Sequence, residues 1–356
     1  MSLKRKILLY GISSILNIPS RFTNWFQIRV LRNHLKYKLV GNFSDNLNLA
    51  IFVVYPGTTP LNSVVRVITS LKLSGYQVLL VVNRNTSTNE WVENLSNETS
   101  HILIRENIGS DFGAYKASIH YLQKSGFYVQ LENLVLINDS IYFTSRATEV
   151  LKEIVKPSNS VNCVFLHRQS IVHAASTLVK FDKKILERSK FKYFWKHYYP
   201  YSNKNQIIRK GEHALTASCG SNYFNPFVEY ENLSERHEVV DMKSVERLQL
   251  CKWAYRTLGS SFGEFELYFE AMPDDKLIEY SIFNFQVSNA LGLYLARVYK
   301  IPIKLDFVKL DLIQISDYKE FLESQDVSGS EIGEVLRIIA AKGSSLSTSY
   351  LERIIK

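Results

Sequence analysis

Two carboxylates stand where an open α/β sheet would use them to hold a ligand. Asp111 lies in Glu106-Asn107-Ile108-Gly109-Ser110-Asp111-Phe112-Gly113-Ala114-Tyr115-Lys116, and Asp139 follows four aliphatic residues in Leu134-Val135-Leu136-Ile137-Asn138-Asp139-Ser140. Similar polar punctuation follows two earlier apolar runs, as Tyr55-Pro56-Gly57 and as residues 83–87, which include Asn83 and Asn85. If these runs are parallel strands, all four polar tips share one edge of a sheet, where open α/β folds bind ligands. Such an edge offers amides and hydroxyls to a base and ribose. It also offers a carboxylate to hold Mg²⁺ or Mn²⁺ against a diphosphate, the usual mode for nucleotide substrates.

The elements that must position these residues are legible in the spacing. Residues 49–55 and 76–82 are apolar and β-branched, and between them Leu61, Val64, Val65, Ile68 and Leu71 recur at helical intervals. A polar loop and a short helix over 90–95 lead to a strand at 101–105. A helix follows whose apolar face is Phe112, Tyr115, Ile119 and Leu122, with Asp111 expected as its N-cap. Residues 134–137 have no polar partner, as expected of a strand covered on both faces. Beyond Asp139 the pattern predicts an edge strand at 141–144, a helix at 147–155, a strand at 162–167 and a turn and helix over 207–219. Helical patterns follow at 245–258, 277–299, 317–322, 332–341 and 350–355. Repeated strand–helix–strand units imply a mainly parallel sheet with helices on both faces. The expected organisation is a basic arm (1–45), an α/β domain (46–240) and a helical C-terminal region (241–356) packed on it.

Charge marks off the arm. No acidic residue precedes Asp45, whereas Lys4, Arg5, Lys6, Arg21, Arg29, Arg32, Lys36 and Lys38 give it eight positive charges; the remaining 35 basic and 34 acidic residues nearly balance. Its apolar run over 7–18 is shorter than the roughly 20 residues that span a bilayer. Trp25 and Phe26 among basic groups fit an interfacial segment on anionic lipid, on the inner face of the plasma membrane; an arm packed on the body is the alternative. The neutral sum of the body argues against nucleic acid as the partner. Cys163, Cys219 and Cys251 form neither a disulfide framework nor a metal pair, which suits a reducing compartment such as the cytoplasm. Phosphate-loop, HExxH and GxSxG signatures are absent from the sequence.

Residues 48–235 resemble the rhamnan-synthesis F family of bacterial polysaccharide proteins and, more distantly, family 2 glycosyltransferases of GT-A fold. The resemblance is carried by residues 107–115, Leu136-Ile137-Asn138-Asp139-Ser140-Ile141-Tyr142, His167-Arg168-Gln169-Ser170, Phe194-Trp195 and Gly211-Glu212-His213-Ala214-Leu215-Thr216. It implies transfer of a sugar such as rhamnose from a dTDP-, UDP- or GDP-linked donor to a glycan or glycolipid acceptor. Tyr55, Pro56, Gly57, Asn83, Asn85, Asn107, Gly109, Asp111 and Asn138 then bind the donor. Asp139 serves the metal or diphosphate, and Glu212 is the base. Asn138-Asp139-Ser140 matches the wider class's Asp-x-Asp element only in part, and Ser110 stands where this family usually has Arg. Phe191, Tyr193, Phe194, Trp195, Tyr198, Tyr199 and Tyr201 either fill a core or offer an acceptor platform. Trp195 and His167 are the acceptor-binding candidates; a structural role also fits His167 and His173. A second reading is a GT-A-like protein that binds glycan or a partner without catalysis.

Overall fold

The computed structural model describes residues 46–343 except 100, 159, 169–170, 202, 229–241, 245, 248–249, 252–270, 305–311 and 326. The arm over 1–41, most of the helix expected at 245–258 and the one at 350–355 lie outside the described residues.

Four strands, β1 (Asn48–Val54), β2 (Gln77–Asn83), β3 (His101–Arg105) and β4 (Asn133–Asn138), form the parallel centre in the order β3-β2-β1-β4. Between them come α1 (Leu61–Leu73), α2 (Thr88–Leu95) and α3 (Ser110–Lys124). Because strand side chains alternate, the strands feed two cores. Phe52, Val54, Val135 and Ile137 pack with α1, α2 and α4 (Ala147–Val155), and Ile51, Val53, Leu134 and Leu136 pack with α3. The result is a mixed α/β fold on a mainly parallel seven-stranded sheet.

The sheet continues past β4 through a strand that the sequence reading does not place. β5 (Ile141–Tyr142) is set apart from the main sheet. β6 (Val161–Cys163) belongs to it, and β7 (Leu166–His167) and β8 (His173–Ala174) make a separate two-stranded pair, so the strand expected at 162–167 is broken in two. β9 (Leu178–Asp182) then runs antiparallel between β4 and β6, and β10 (Phe224–Pro226) lies parallel beside β6. Lys180, in the middle of β9, is 0% exposed and reaches the Ser158 carbonyl at 3.2 Å. Burial lowers its pKa to about 8, against an opposing pull from Asp182. A lysine at that position reads as a solvent-facing residue, which hides the strand.

The chain between β9 and β10 is helical. It contains α5 (Lys183–Leu186), α6 (Ser189–His197), α7 (Lys204–Gln206), a π-helical turn (Ile207–Glu212) and α8 (His213–Cys219). Beyond residue 270 the described elements are α9 (Asp274–Asn284), α10 (Val287–Ala290), α11 (Gly292–Tyr299), β11 (Ile303–Lys304), α12 (Leu312–Glu323) and α13 (Gly329–Gly343). The helix expected over 277–299 is interrupted twice. β11 pairs antiparallel with β5, so the edge strand expected at 141–144 joins a separate two-stranded sheet. Leu277, Leu295, Leu322 and Leu336 share a core with the α1 face of the main sheet. One polar network fixes this arrangement: Arg66 of α1 donates Nη1 to Glu331 Oε2 at 2.9 Å and Nη2 to the Phe143 carbonyl at 2.7 Å, while the Tyr142 hydroxyl donates to Glu331 Oε1 at 2.8 Å.

Candidate functional site

The order β3-β2-β1-β4 places a topological switch point between β1 and β4, where the chain winds away in opposite directions and a crevice normally opens. The polar tips do collect on this edge, but they divide into two groups.

The first group closes the crevice on the α1 side. Asp139 is 7% exposed, and its Oδ2 accepts hydrogen bonds at 2.6 Å from both the Tyr55 amide and the Thr58 hydroxyl. Asn85 Nδ2 donates to the Pro56 carbonyl at 2.8 Å, and Asn85 Oδ1 accepts the Ser87 amide at 3.0 Å. Together these bonds lash the loops after β1, β2 and β4 to one another. This corrects the expected placement of Asp139 toward a ligand: its carboxylate is a fastener between strand ends. Asn83 is likewise corrected. It is buried, and its Oδ1 accepts from Arg105 Nη1 at 2.6 Å, so it holds a guanidinium rather than facing a base.

Arg105 in turn donates to the carbonyls of Ile108 and Ser110 and fixes the loop into α3. Here α3 begins at Ser110, so Asp111 sits in its first turn and Gly109 takes the cap position with φ 74°. Two glycines are required by space. A Cβ on Gly109 would lie 2.4 Å from Pro200 Cβ, and one on Gly113 would lie 1.9 Å from the Ile108 carbonyl oxygen. Asn107 is exposed on the same loop.

The second group lies on the α3 side and contains the accessible carboxylates. Asn138 Nδ2 donates to Asp111 Oδ2 at 3.1 Å and to the Ser176 carbonyl at 3.3 Å, and its Oδ1 accepts the Ser140 amide at 3.1 Å. Because β9 runs backwards, Ser176, which precedes it, reaches the rim where β4 ends. Glu212 Oε1 accepts the Ser176 hydroxyl at 2.6 Å and its amide at 3.3 Å. The Tyr115 hydroxyl donates to the Ser176 carbonyl at 3.4 Å. Burial first, and then the Asp111 carboxylate, holds that phenol well above its ordinary range, so it remains protonated. Asp111, Asn138, Ser176, Tyr115 and Glu212 thus form one connected cluster.

Histidines extend the cluster beneath Glu212. His173 Nδ1 lies 2.9 Å from the Ile171 carbonyl, which can only accept, so that nitrogen carries hydrogen. Its Nε2 is 3.6 Å from Glu212 Oε2. The His173 ring also lies 4.3 Å from that of His213 and 5.0 Å from that of His167. Burial, with His173 and Arg209 adding to it, lowers the His213 pKa to about 4; burial likewise pulls His167 well below its ordinary value. His173 thus turns Nε2 toward the Glu212 carboxylate, with the His213 and His167 rings, both held neutral, behind it.

The acceptor-binding candidates are corrected. Trp195 is 1% exposed and packs against Phe112, Phe191, Phe194 and Tyr198. His167 is buried between Phe165 and His173. Neither ring is a platform. Phe112 does double duty, because a Cβ on Gly211 would meet its ring at 3.1 Å; the glycine lets the π-helical turn seat there and bring Glu212 to Ser176. Thr58, Arg105 and Ser176 are the positioning residues that spacing alone does not reveal. Ser176 lies in no motif and depends on the unread strand β9.

A metal centre built from protein ligands alone would need more than these groups provide. Among the described residues there is no group of three or more His, Cys, Asp or Glu placed to hold a metal ion. One Asp139 oxygen is committed to the β1 loop, and Asp111 and Glu212 are tied to Asn138 and Ser176. The residues present do not fit a protein-held metal centre.

No protein-family model matches the chain. It is 30% identical over 182 residues to the uncharacterized protein y4gN of Sinorhizobium fredii (strain NBRC 101917 / NGR234). The matched region covers 49% of this chain and 46% of that protein, so the similarity spans about half the length of this curated relative.

Proposed function

We propose that the chain is a glycosyltransferase of GT-A-like architecture that moves a sugar from a nucleotide diphosphate to a glycan or glycolipid acceptor. The observation that carries this reading is Glu212. Its carboxylate, with its side chain 16% exposed, is oriented by Ser176 at the sheet edge and backed by His173. A base so held takes the proton of an acceptor hydroxyl as that oxygen attacks the anomeric carbon. The bond from that carbon to the diphosphate oxygen breaks, the nucleoside diphosphate leaves with the electron pair, and configuration at the carbon inverts. Asp111 and Asn138 position the donor from the α3 side, with Tyr55-Pro56-Gly57, Asn85 and Asn107 along the rim. Asp139 acts by holding that rim. No step in this scheme is carried by a metal.

The motifs in which the sequence resembles the rhamnan-synthesis F family point to the same substrate class. Peripheral attachment to the inner face of the plasma membrane through residues 1–41 belongs to the proposal. No helix among the described residues is long and apolar enough to cross a membrane. Helices of the C-terminal region would support the cleft from the α1 side.

The test is to incubate the purified protein with dTDP-, UDP- and GDP-sugars and follow binding, hydrolysis and transfer in wild type and Glu212→Gln. Hydrolysis or transfer by wild type, lost in the variant, is the expected result; failure to bind any of the donors overturns the reading. A non-catalytic glycan- or partner-binding role is favoured by one observation, the commitment of Asp139 to Tyr55 and Thr58 at the crevice. It predicts glycan or partner binding that survives Glu212→Gln, with no turnover in wild type.

A further inference from the structure

The near-neutral sum of the body hides a local excess. Residues 188–211 contain seven Lys or Arg and no Asp or Glu. The same segment carries the aromatic run, and the structure sorts that run into two classes. Phe191, Phe194 and Trp195 turn inward, whereas Tyr193 is 65% exposed and Tyr199 and Tyr201 are half-buried.

The outward residues enclose a groove of about 370 Å³ between α6, the Tyr199–Tyr201 stretch and the outer face of the π-turn and α8, lined by Lys190, Tyr193, His197, Tyr199, Tyr201 and Lys210. Such a volume is in the range of small-ligand sites. Among the described residues that line it there is no carboxylate. Tyr193 and His197, one helical turn apart, stack with ring centres 3.9 Å apart and form a flat wall. Tyr198 also contributes its ring to the lining and is itself 7% exposed.

Tyrosine faces cover apolar C–H surfaces while their hydroxyls both donate and accept, which suits a polyhydroxylated ring. The exposed Lys190 and Lys210 add positive charge that a neutral sugar would not use. We propose that this groove binds a segment of an acidic glycan, one bearing carboxylate or phosphate groups. It lies across the helix from Glu212, so it would grip the chain away from the transfer site. This deepens the glycosyl-transfer reading by naming the acceptor class. The concave shape distinguishes it from a surface built to lie flat on a bilayer, and the three outward phenols distinguish it from a simple stacking track for bases.

The experiment titrates the full chain, without donor, with oligogalacturonate, with a phosphorylated mannan oligosaccharide, and with the uncharged methyl ester of the first. Wild type is expected to bind at least one acidic probe and to bind the ester more weakly. Lys190→Glu, Lys210→Glu and Tyr193→Ala are each expected to weaken binding about tenfold, the size of one charge-assisted contact. Their surface positions leave the fold intact, which circular dichroism verifies. No binding of either acidic probe, equal binding by the variants, or dependence of oligothymidylate or phosphatidylglycerol-vesicle binding on the same three residues in place of glycan binding overturns the proposal. Because binding is read without turnover, binding retained in Glu212→Gln leaves the groove standing if the transfer reading fails. Transfer without binding of acidic glycan removes the groove alone.

Discussion

Thr58 donates its hydroxyl to Asp139 across 2.6 Å and thereby joins the loop after β1 to the end of β4. The Tyr55 amide lands on the same oxygen at the same distance. A buried carboxylate with two such donors is a structural clamp. Asp139→Asn is expected to cost about 1.5–3 kcal/mol, and Thr58→Val about 1 kcal/mol. The double variant should lose less than the sum, because both changes act on one shared bond. Urea denaturation of the four proteins measures this, and unchanged stability in Asp139→Asn would return that residue to a ligand-facing role.

Glu212→Gln keeps the shape of the side chain but removes the base. If Glu212 accepts the acceptor's proton, transfer should fall by about 10²–10⁴-fold. Melting temperature should change little. Ser176→Ala, which removes the hydroxyl that orients the carboxylate, should lower turnover more than it weakens donor binding. Steady-state kinetics with whichever nucleotide sugar proves to be the donor separates the two effects.

The loop into α3 allows predictions of opposite sign. Gly113→Ala forces a methyl group into the Ile108 carbonyl and should cost about 3 kcal/mol. Ser110, by contrast, adopts φ 49° without being glycine. Ser110→Gly removes the steric penalty of that conformation and is expected to gain about 1 kcal/mol. Thermal melts of both variants check the pair.

Acid sensitivity should trace to the histidines under Glu212. The folded chain holds His213 near pKa 4, below the ordinary 6.5, so between those values the unfolded chain binds the extra proton. Stability from this residue is therefore present above pH 6.5 and is lost as pH falls toward 4. His167, also shifted downward, acts in the same direction. His213→Gln should reduce the fall in Tm between pH 7.5 and pH 5 by an amount on the order of 3 °C. Scanning calorimetry at the two pH values provides the comparison.

Much of the parallel centre can be read from the residues themselves. The aliphatic runs of β1, β2 and β4 have no polar face because helices cover both sides, and the bounds expected at 101–105 and 147–155 coincide with β3 and α4. β9 escapes because Lys180 interrupts its pattern, and with it goes Ser176, whose place beside Asn138 depends on that strand running backwards. Trp195 and Tyr193 illustrate a second limit. They lie two residues apart in one aromatic run, yet one is buried and the other exposed, because the helical turn points them in different directions. The type of residue left core and surface both open, and only the fold selected which rings serve each.

The π-helical turn at Ile207–Glu212 has one further consequence. Such a coil accommodates a residue more than ordinary helical winding would. That surplus lets Gly211 rest on Phe112 and Glu212 meet Ser176 while Lys210 looks out over the tyrosines. A protein one residue shorter at this point would have to abandon one of these appointments, leaving either the base or the lysine aimed at the wrong neighbour.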